Sequence, residues 1–186
     1  MTTPATPTRR PSVLVVHASR MGGTAGIAEQ VAEVLAAAGL GVSVQAAEGI
    51  GDREVARHDA VVLGSAVYFR RWRRPAVRFL RRERERLAER PVFLFQSGPC
   101  GDEDAHRQLP APPGVRRLAA RIGAEQPVTF GGRLDAEHAG GWWMARRMAS
   151  GPLAGDWRDP EAIRDWASDV AGRILRPADQ SVPGAS

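Results

Sequence analysis

The chain has a single cysteine, no lysine and no long apolar run, and each shortage excludes a class of protein. Cys100 is alone among 186 residues, so an internal disulfide cannot form. No stretch approaches the roughly 18 apolar residues needed to cross a bilayer, and the N-terminal residues lack the apolar core of a signal peptide. We therefore expect a cytoplasmic protein.

All 26 positively charged residues are arginine, and the formal net charge is +5. Codon bias towards arginine explains the absence of lysine, but the charge still attracts anionic surfaces over about 10 Å at moderate salt. No sequence motif of a DNA- or RNA-binding domain accompanies the arginines. We therefore do not expect a nucleic-acid partner.

Short apolar runs alternate with helical patterns along most of the chain. This alternation predicts an α/β protein with a five-stranded parallel sheet and helices on both faces. One domain is expected over residues 12–176, between disordered tails at 1–11 and 177–186. The strands are predicted at 12–17, 42–46, 60–65, 91–96 and 127–131, and the helices at 24–38, 75–88, 115–123 and 160–175.

The segment from Val13 to Ala38 joins a strand, a short loop and an amphipathic helix. Such a loop directs backbone N–H groups and the positive end of the helix dipole at one small volume, which favours a phosphate. It is neither GxGxxG nor GxxxxGK[ST], which argues against a dinucleotide fold or a P-loop NTPase. Ser19 and Thr24 would add hydroxyl donors. The alternative is an ordinary turn in which Thr24 caps the helix.

The loop at 19–24, SRMGGT, resembles the S-x-T-G-x-T loop of flavodoxins, which holds the phosphate of FMN. Met21 stands where those proteins often have Thr, so one side-chain contact would be lost. Further blocks resemble small flavodoxin-domain proteins related to menaquinone-dependent protoporphyrinogen IX dehydrogenase: 61–68 with Trp72, 93–99, 130–134 and 155–159 with Trp166. The resemblance implies a flavodoxin-like three-layer sandwich of strand order 2-1-3-4-5, with FMN as its cofactor.

In that family the cofactor contacts three loops at the carboxyl ends of strands, which correspond here to residues 18–24, 65–72 and 97–104. Tyr68 is the residue we expect to stack on the flavin ring, although an aromatic after a strand can equally cover the core. Cys100, an isolated thiol, is expected to be inert. The implied cofactor-binding residues are Ser19, Arg20, Met21, Gly22, Gly23, Thr24, Ser65, Ala66, Val67, Tyr68, Ser97, Gly98, Pro99 and Gly101.

Arginines are concentrated between residues 70 and 86. Those at 70, 71, 73 and 74 would lie at the flavin rim and bind an anionic substrate or lipid. Alternatively, Glu83, Glu85 and Glu89 pair with the arginines on a solvated helix face. An insertion at 135–155 would meet a membrane surface, cover the flavin or form a dimer contact. The residues assigned to this substrate or membrane rim are Arg70, Arg71, Trp72, Trp142, Trp143 and Arg146.

Asp159 precedes Pro160 in the 155–159 block. This order predicts a capped helix start and calls for no chemistry.

The resemblance implies an FMN-dependent oxidoreductase that passes reducing equivalents from an organic donor, for example a protoporphyrinogen-like molecule, to a quinone or another acceptor. No acid–base pair stands out and no metal is expected, so catalytic residues are left unassigned. One alternative is an electron carrier, although carriers of this family are typically acidic. Another is a flavin-free interaction module. A homodimer and a peripheral position at the inner membrane face remain open expectations.

Overall fold

The computed structural model describes residues 9–98, 100, 107–134 and 154–176. The helices are α1 (Gly23–Ala37), α2 (Arg74–Arg82), α3 (Arg84–Ala88), α4 (Pro113–Arg121) and α5 (Pro160–Leu175). The strands are β1 (Ser12–Ala18), β2 (Gly41–Ala46), β3 (Ala60–Tyr68), β4 (Arg71–Trp72), β5 (Val92–Ser97), β6 (Val128–Phe130), β7 (Arg133–Leu134) and β8 (Gly155–Asp156). Most of both tails and of the predicted insertion lies outside the described residues.

The five longer strands form one parallel sheet in the order β2-β1-β3-β5-β6. Counted along the chain without the two-residue strands, this is the 2-1-3-4-5 order, and the flavodoxin-like fold is confirmed. Val15 of β1 lies opposite Val44 on one side and Val62 on the other. The carboxyl ends of β1, β3 and β5 therefore meet at one edge, which is where such sheets bind ligands.

Helices cover both faces of the sheet, which explains why β1 is apolar without alternation. Val13 and Val15 belong to the cluster that includes residues of α1 and α5. Leu14 and Val16 belong to the cluster that includes residues of α2, α3 and α4. Successive side chains of a strand point to opposite faces, so every position of this run is buried.

A glycine in β3 makes room for an aromatic ring of β5. A Cβ at Gly64 would lie 2.0 Å from Cζ of Phe95, its neighbour in the parallel register. Phe95 also packs against Phe130 and Trp166, with ring centroids 5.9 and 5.8 Å away. Trp166 belongs to α5, so this aromatic cluster fixes the last helix on the sheet.

The predicted single helix over 75–88 is wrong, because the chain forms two helices that meet at Glu83. That residue has φ −96° and ψ 9° and is 1% exposed. Its carboxylate accepts hydrogen bonds from Arg82 Nε at 2.8 Å and Arg86 Nη1 at 3.0 Å. Arg82 also donates to the Ile50 carbonyl. The two neighbouring arginines, one of them held by the distant Ile50 carbonyl, keep the carboxylate in the interior at the bend.

Two short hairpins were not predicted from the sequence. β3 continues to Tyr68 and turns through Phe69 and Arg70 into the antiparallel strand β4. Both turn residues have positive φ, 48° and 59°, which the tight I′ type of hairpin turn requires and which is unfavourable for side chains other than glycine or asparagine. The second hairpin pairs β7 with β8. None of the described helices combines the length and apolar character that a membrane-spanning segment requires.

Candidate functional site

The loop between β1 and α1 leaves the start of the helix open. Gly22 is the N-cap residue, with φ 79° and ψ −22°, and has no side chain to accept from the first helical N–H groups. Thr24 is the second residue of α1, so the alternative in which it caps the helix is wrong. The first turn of α1 contains no acidic residue. Its unpaired N–H groups and the helix dipole therefore remain available for an anion.

Ser19 supplies an independent sign of a ligand beside this helix start. Its Oγ is buried and has no hydrogen-bond partner among the described residues. A buried hydroxyl without a partner costs about 1–3 kcal/mol, so such groups are normally satisfied by a bound molecule or water. An anionic oxygen at the N-terminus of α1 would satisfy it. The residues present therefore fit a phosphate group.

His17 lies just before this loop and adds no positive charge to it. Its Nδ1 is buried without a hydrogen-bond partner in the described part of the chain. Burial lowers the pKa of His17 below its usual value, with Glu48 and Glu29 acting in the opposite direction. The imidazole is therefore neutral at pH 7, and the attraction for an anion comes from the helix and from arginine.

Thr24 and Ser97 connect the first and third predicted loops. Thr24 Oγ1 and Ser97 Oγ lie 2.6 Å apart, and both side chains are buried. In such a pair one hydroxyl donates to the other, whose own proton stays available. If Ser97 donates, Thr24 can still donate to an oxygen at the helix start. Contact of either residue with a cofactor remains a prediction.

The start of the third loop, after β5, lies close to the backbone of the segment after β6. Gly98, at φ 100°, donates from its N–H to the Phe130 carbonyl at 3.1 Å. A Cβ at Gly132 would lie 3.0 Å from the Gly98 Cα and 2.9 Å from the Cys100 Sγ. Glycine at 132 therefore lets the segment after β5 pack against the segment after β6.

Met21, in the first loop, packs with Leu134, and half-buried Tyr68 and Cys100 lie against this pair. Burial raises the pKa of Tyr68, with Arg73 and Arg20 acting in the opposite direction. Burial also raises the pKa of the Cys100 thiol, and Asp156 raises it further. The thiol is therefore protonated at neutral pH, which agrees with an inert cysteine. Stacking of Tyr68 on a flavin remains a prediction.

Ser65 anchors the start of α2. Its side chain is fully buried, and its Oγ accepts from the Arg73 backbone N–H at 3.0 Å and donates to the Ala66 carbonyl. The hydroxyl is thus occupied by main-chain groups. Any contact of Ser65, Ala66 or Val67 with a cofactor would come from the backbone and remains a prediction.

A cavity of about 550 Å³ lies between the β3–β4 hairpin and the start of α2. Trp72, predicted at the rim, is 4% exposed and forms part of its wall. Its indole Nε1 donates to Gln96 Oε1 at 2.9 Å, which fixes the ring. The residues that line this cavity are Arg20, Tyr68, Phe69, Arg71, Trp72, Arg73, Arg74, Pro75 and Arg78.

Arg133, a residue for which the sequence predicted no role, lies at the start of α1. A Cβ at Gly23 would lie 3.2 Å from the Arg133 Cβ and backbone N, so β7 packs directly on the beginning of α1. The resemblance included residues 130–134, but it did not indicate that this segment would lie beside the start of α1. Pairing with β8 brings it there.

The predicted cap of the last helix is confirmed. The Asp159 side chain accepts from the backbone N–H groups of Glu161 and Ala162, each at 3.0 Å. The neighbouring Asp156 accepts from Arg158 Nε at 2.7 Å. Both contacts are structural.

Several predicted site residues lie outside the described part of the chain: Pro99, Gly101, Trp142, Trp143 and Arg146. Within the described ranges, no group of His, Cys, Asp and Glu side chains is arranged to hold a metal ion.

The sequence matches the model of the flavodoxin domain family over residues 14–148. No curated protein matches the chain.

Solved structures show the same fold at low sequence identity. A flavodoxin from the domain Archaea has a TM-score of 0.59 at 16% identity, over 89% of this chain and 99% of that one. Oxidised flavodoxin 2 from Bacillus cereus has a TM-score of 0.56 at 20% identity, over 88% and 97%. The rubredoxin oxygen:oxidoreductase of Desulfovibrio gigas has a TM-score of 0.55 at 13% identity, over 91% of this chain but 38% of that one.

Proposed function

Because this chain belongs to the flavodoxin domain family, we propose that it is an FMN-dependent oxidoreductase that passes reducing equivalents from an organic donor to a quinone or another acceptor. FMN is the cofactor of this family. When bound, it supplies the electron-transfer chemistry. The protein residues bind, orient and surround it.

The buried, unpartnered Ser19 hydroxyl beside the open start of α1 is the observation that carries this proposal. Ser19, Gly22, Gly23 and Thr24 would hold the phosphate through hydroxyl and backbone N–H donors. The ring would then lie towards the loops that follow β3 and β5, because both strands end at the same edge of the sheet.

The arginines of the cavity favour an oxidising role. Positive charge near a bound flavin stabilises its anionic reduced form, which raises the tendency to accept electrons from a donor. A donor with acidic groups, such as a protoporphyrinogen-like molecule, would suit this charge. Quinone as the acceptor would require peripheral contact with a membrane, for which Trp142 and Trp143 are the candidate residues.

An electron carrier is the second candidate, favoured by the similarity of fold to flavodoxins over almost their whole length. The net charge of +5 counts against it, because carriers of this family are typically acidic. The two functions differ in one measurable property. An oxidoreductase is reduced directly by its organic donor, whereas a carrier exchanges electrons with a reductase protein and oxidises no organic substrate.

The test of cofactor binding is a visible absorption spectrum of the purified chain with and without added FMN. Bands at about 370 and about 450 nm mark an oxidised flavin. The double variant Gly22→Val/Gly23→Val should lose them, whereas Gly51→Val/Gly114→Val, at positions with open space, should keep them. Circular dichroism checks that each variant is folded.

Three outcomes would contradict the proposal. Absence of FMN binding by the unaltered chain would overturn the oxidoreductase and leave an interaction module. Unchanged bands in a folded Gly22→Val/Gly23→Val variant would overturn the assigned loop. The third outcome, in the FMN-bound chain without oxygen, is bleaching of the band at about 450 nm by a reductase alone, which would indicate the carrier. Bleaching by an organic donor, reversed by a quinone, would support the oxidoreductase.

A further inference from the structure

We propose that the cavity between the β3–β4 hairpin and the start of α2 binds a flat organic molecule with at least two acidic groups. This inference rests on the proposed function in one respect, because the molecule would serve as the donor. The binding site itself is argued from the cavity alone. We call it the arginine cavity, with the lining residues given above.

Charge is the first argument for an anionic ligand. Of the nine described residues that line the cavity, none is acidic and five are arginine, namely Arg20, Arg71, Arg73, Arg74 and Arg78. Several guanidinium groups around one concave surface repel one another and attract anions. Guanidinium groups also bind carboxylates and phosphates through two parallel hydrogen bonds. A ligand with two or more acidic groups would therefore contact several of these arginines together.

Three arginines of the cavity differ from the arginines that follow them in the chain. Arg82, Arg84, Arg86 and Arg90 each lie within ion-pair distance of a glutamate. Among the described residues, Arg71, Arg74 and Arg78 have no such carboxylate partner. The expected self-paired helix face therefore accounts for α3 and its ends, and leaves Arg71, Arg74 and Arg78 without a carboxylate partner in the described part of the chain.

Arg73 is half-buried, whereas the other four arginines of the cavity are exposed. Its backbone N–H is fixed by Ser65, and its side chain is only 25% exposed. The nearest carboxylate oxygen, of Glu48, is 4.0 Å from Nη2, and Nε is buried without a hydrogen-bond partner among the described residues. A buried donor of this kind calls for an acceptor, which an acidic group in the cavity would supply.

Aromatic residues indicate that the ligand has a flat apolar part. The Trp72 ring is held in the wall by Gln96, and half-buried Tyr68 also lines the cavity. Phe69 is 78% exposed at the tip of the hairpin. Phe69 and Arg70 both have a positive φ, which is an unfavourable backbone conformation for residues with these side chains. Phe69 could therefore cover a ring bound in the cavity.

The concave shape favours a small molecule over a protein or a membrane. The volume of about 550 Å³ falls within the range of roughly 300–1,000 Å³ that is usual for small-molecule sites. A fixed tryptophan wall below the surface can contact a ligand that enters, but not a flat partner surface.

The test is calorimetric titration of the full chain with benzene-1,2,4,5-tetracarboxylate, a flat tetra-anion. We expect binding of one molecule per chain. The variant Arg71→Gln/Arg78→Gln should bind it about tenfold or more weakly, since two charge-assisted contacts are removed. The matched control is Arg116→Gln/Arg117→Gln, which removes the same charge from exposed positions of α4 and should bind within about twofold of the unaltered chain.

Citrate tests the aromatic part of the proposal. It carries several acidic groups but no ring, so we expect it to bind more weakly than the tetracarboxylate. Phe69→Ser should weaken binding of the tetracarboxylate and leave binding of citrate unchanged. Equal effects on both probes would overturn the role of the aromatic residues.

Four results would overturn the proposal as a whole. They are absence of binding, equal losses in the two double variants, displacement of the probe by FMN one for one, and loss of phosphatidylglycerol vesicle binding in Arg71→Gln/Arg78→Gln with probe binding unchanged. The third would assign the cavity to the cofactor and the fourth to a membrane. FMN binding is measured separately by its absorption, so failure of the cofactor proposal and failure of the cavity proposal are distinguishable.

Discussion

Thr24 and Ser97 share a buried hydrogen bond of 2.6 Å that joins the first turn of α1 to the end of β5. The bond links two segments of the candidate site that are far apart in sequence. It therefore fixes the helix start, where we propose that phosphate binds, relative to the loop that would approach the flavin.

This bond predicts that substitutions at the two positions are coupled. Thr24→Val should lower the free energy of unfolding by about 1–3 kcal/mol, because it leaves the Ser97 hydroxyl buried without a partner. Ser97→Ala should cost a similar amount, and the double variant should cost about 1 kcal/mol less than the sum. Urea denaturation of the four proteins measures this coupling. Strictly additive effects would show that the bond does not contribute to stability.

Ser19→Ala should separate binding from stability. The Ser19 hydroxyl has no partner to lose among the described residues, so the free energy of unfolding without FMN should not fall, and it should rise if no water satisfies the hydroxyl. FMN binding should weaken about tenfold, because a hydrogen bond to a charged phosphate is lost. Quenching of flavin fluorescence during titration gives the dissociation constant.

The control for Ser19→Ala is Ser168→Ala, at an exposed serine whose hydroxyl donates to the Arg164 carbonyl within α5. That variant should bind FMN as the unaltered chain does. Equal affinity of the Ser19→Ala protein would remove Ser19 from the phosphate site.

Gly64→Ala should destabilise the sheet through a steric clash. The new methyl group would lie 2.0 Å from the Phe95 ring, which is already packed against Phe130 and Trp166. Such overpacking costs about 1–3 kcal/mol and lowers the urea midpoint without a change in the slope m. The matched variant is Gly172→Ala, at a helical glycine with open space around it, which should raise stability by up to about 1 kcal/mol. Similar midpoints for both variants would contradict the packing argument.

Asp59 should contribute to a loss of stability in acid. The Ser12 backbone N–H, 2.7 Å from Oδ2, holds the pKa of Asp59 below the ordinary 3.8, and Arg9 lowers it further. A carboxyl with a lower pKa in the folded state stabilises the protein above its unfolded pKa, and the contribution disappears as pH falls through the folded pKa. Asp59→Asn should therefore reduce stability at neutral pH and flatten the acid side of the stability profile.

Urea midpoints measured between about pH 3 and pH 7 give this profile. Asp165→Asn, at an exposed residue of α5 without an ion pair among the described residues, is the control. An acid slope that stays the same after Asp59→Asn would show that Asp59 does not contribute to it.

Features that depend on neighbouring residues in the chain were predicted well. The apolar run of β1 and the boundaries of α5, marked by Asp159 and Pro160, follow from periodicity and capping. The bend at Glu83 was not predictable, because a charged residue in a helical pattern indicates a solvated position. The carboxylate is buried because Arg82 and Arg86 enclose it.

The candidate site also has parts that were predictable from the sequence and parts that were not. The loop from Ser19 to Thr24 is recognisable because its strand, turn and helix are adjacent in sequence. The positions of Ser97 and Arg133 beside it depend on strand pairing and on a hairpin between distant segments. The sequence showed many arginines close together, but not which of them have an acidic partner.

By itself, the sequence determined the order of strands and helices, the parallel sheet and the phosphate-type loop, because these follow from hydrophobic period, turn residues and helix ends. The tertiary structure alone decided three features: the bend at Glu83, where Arg82 donates to the distant Ile50 carbonyl, the hydrogen bond between Thr24 and Ser97, and the lack of a carboxylate partner at Arg71, Arg74 and Arg78 among the described residues. Each of these depends on which distant side chains meet when the layers pack, and local pattern carries no information about that.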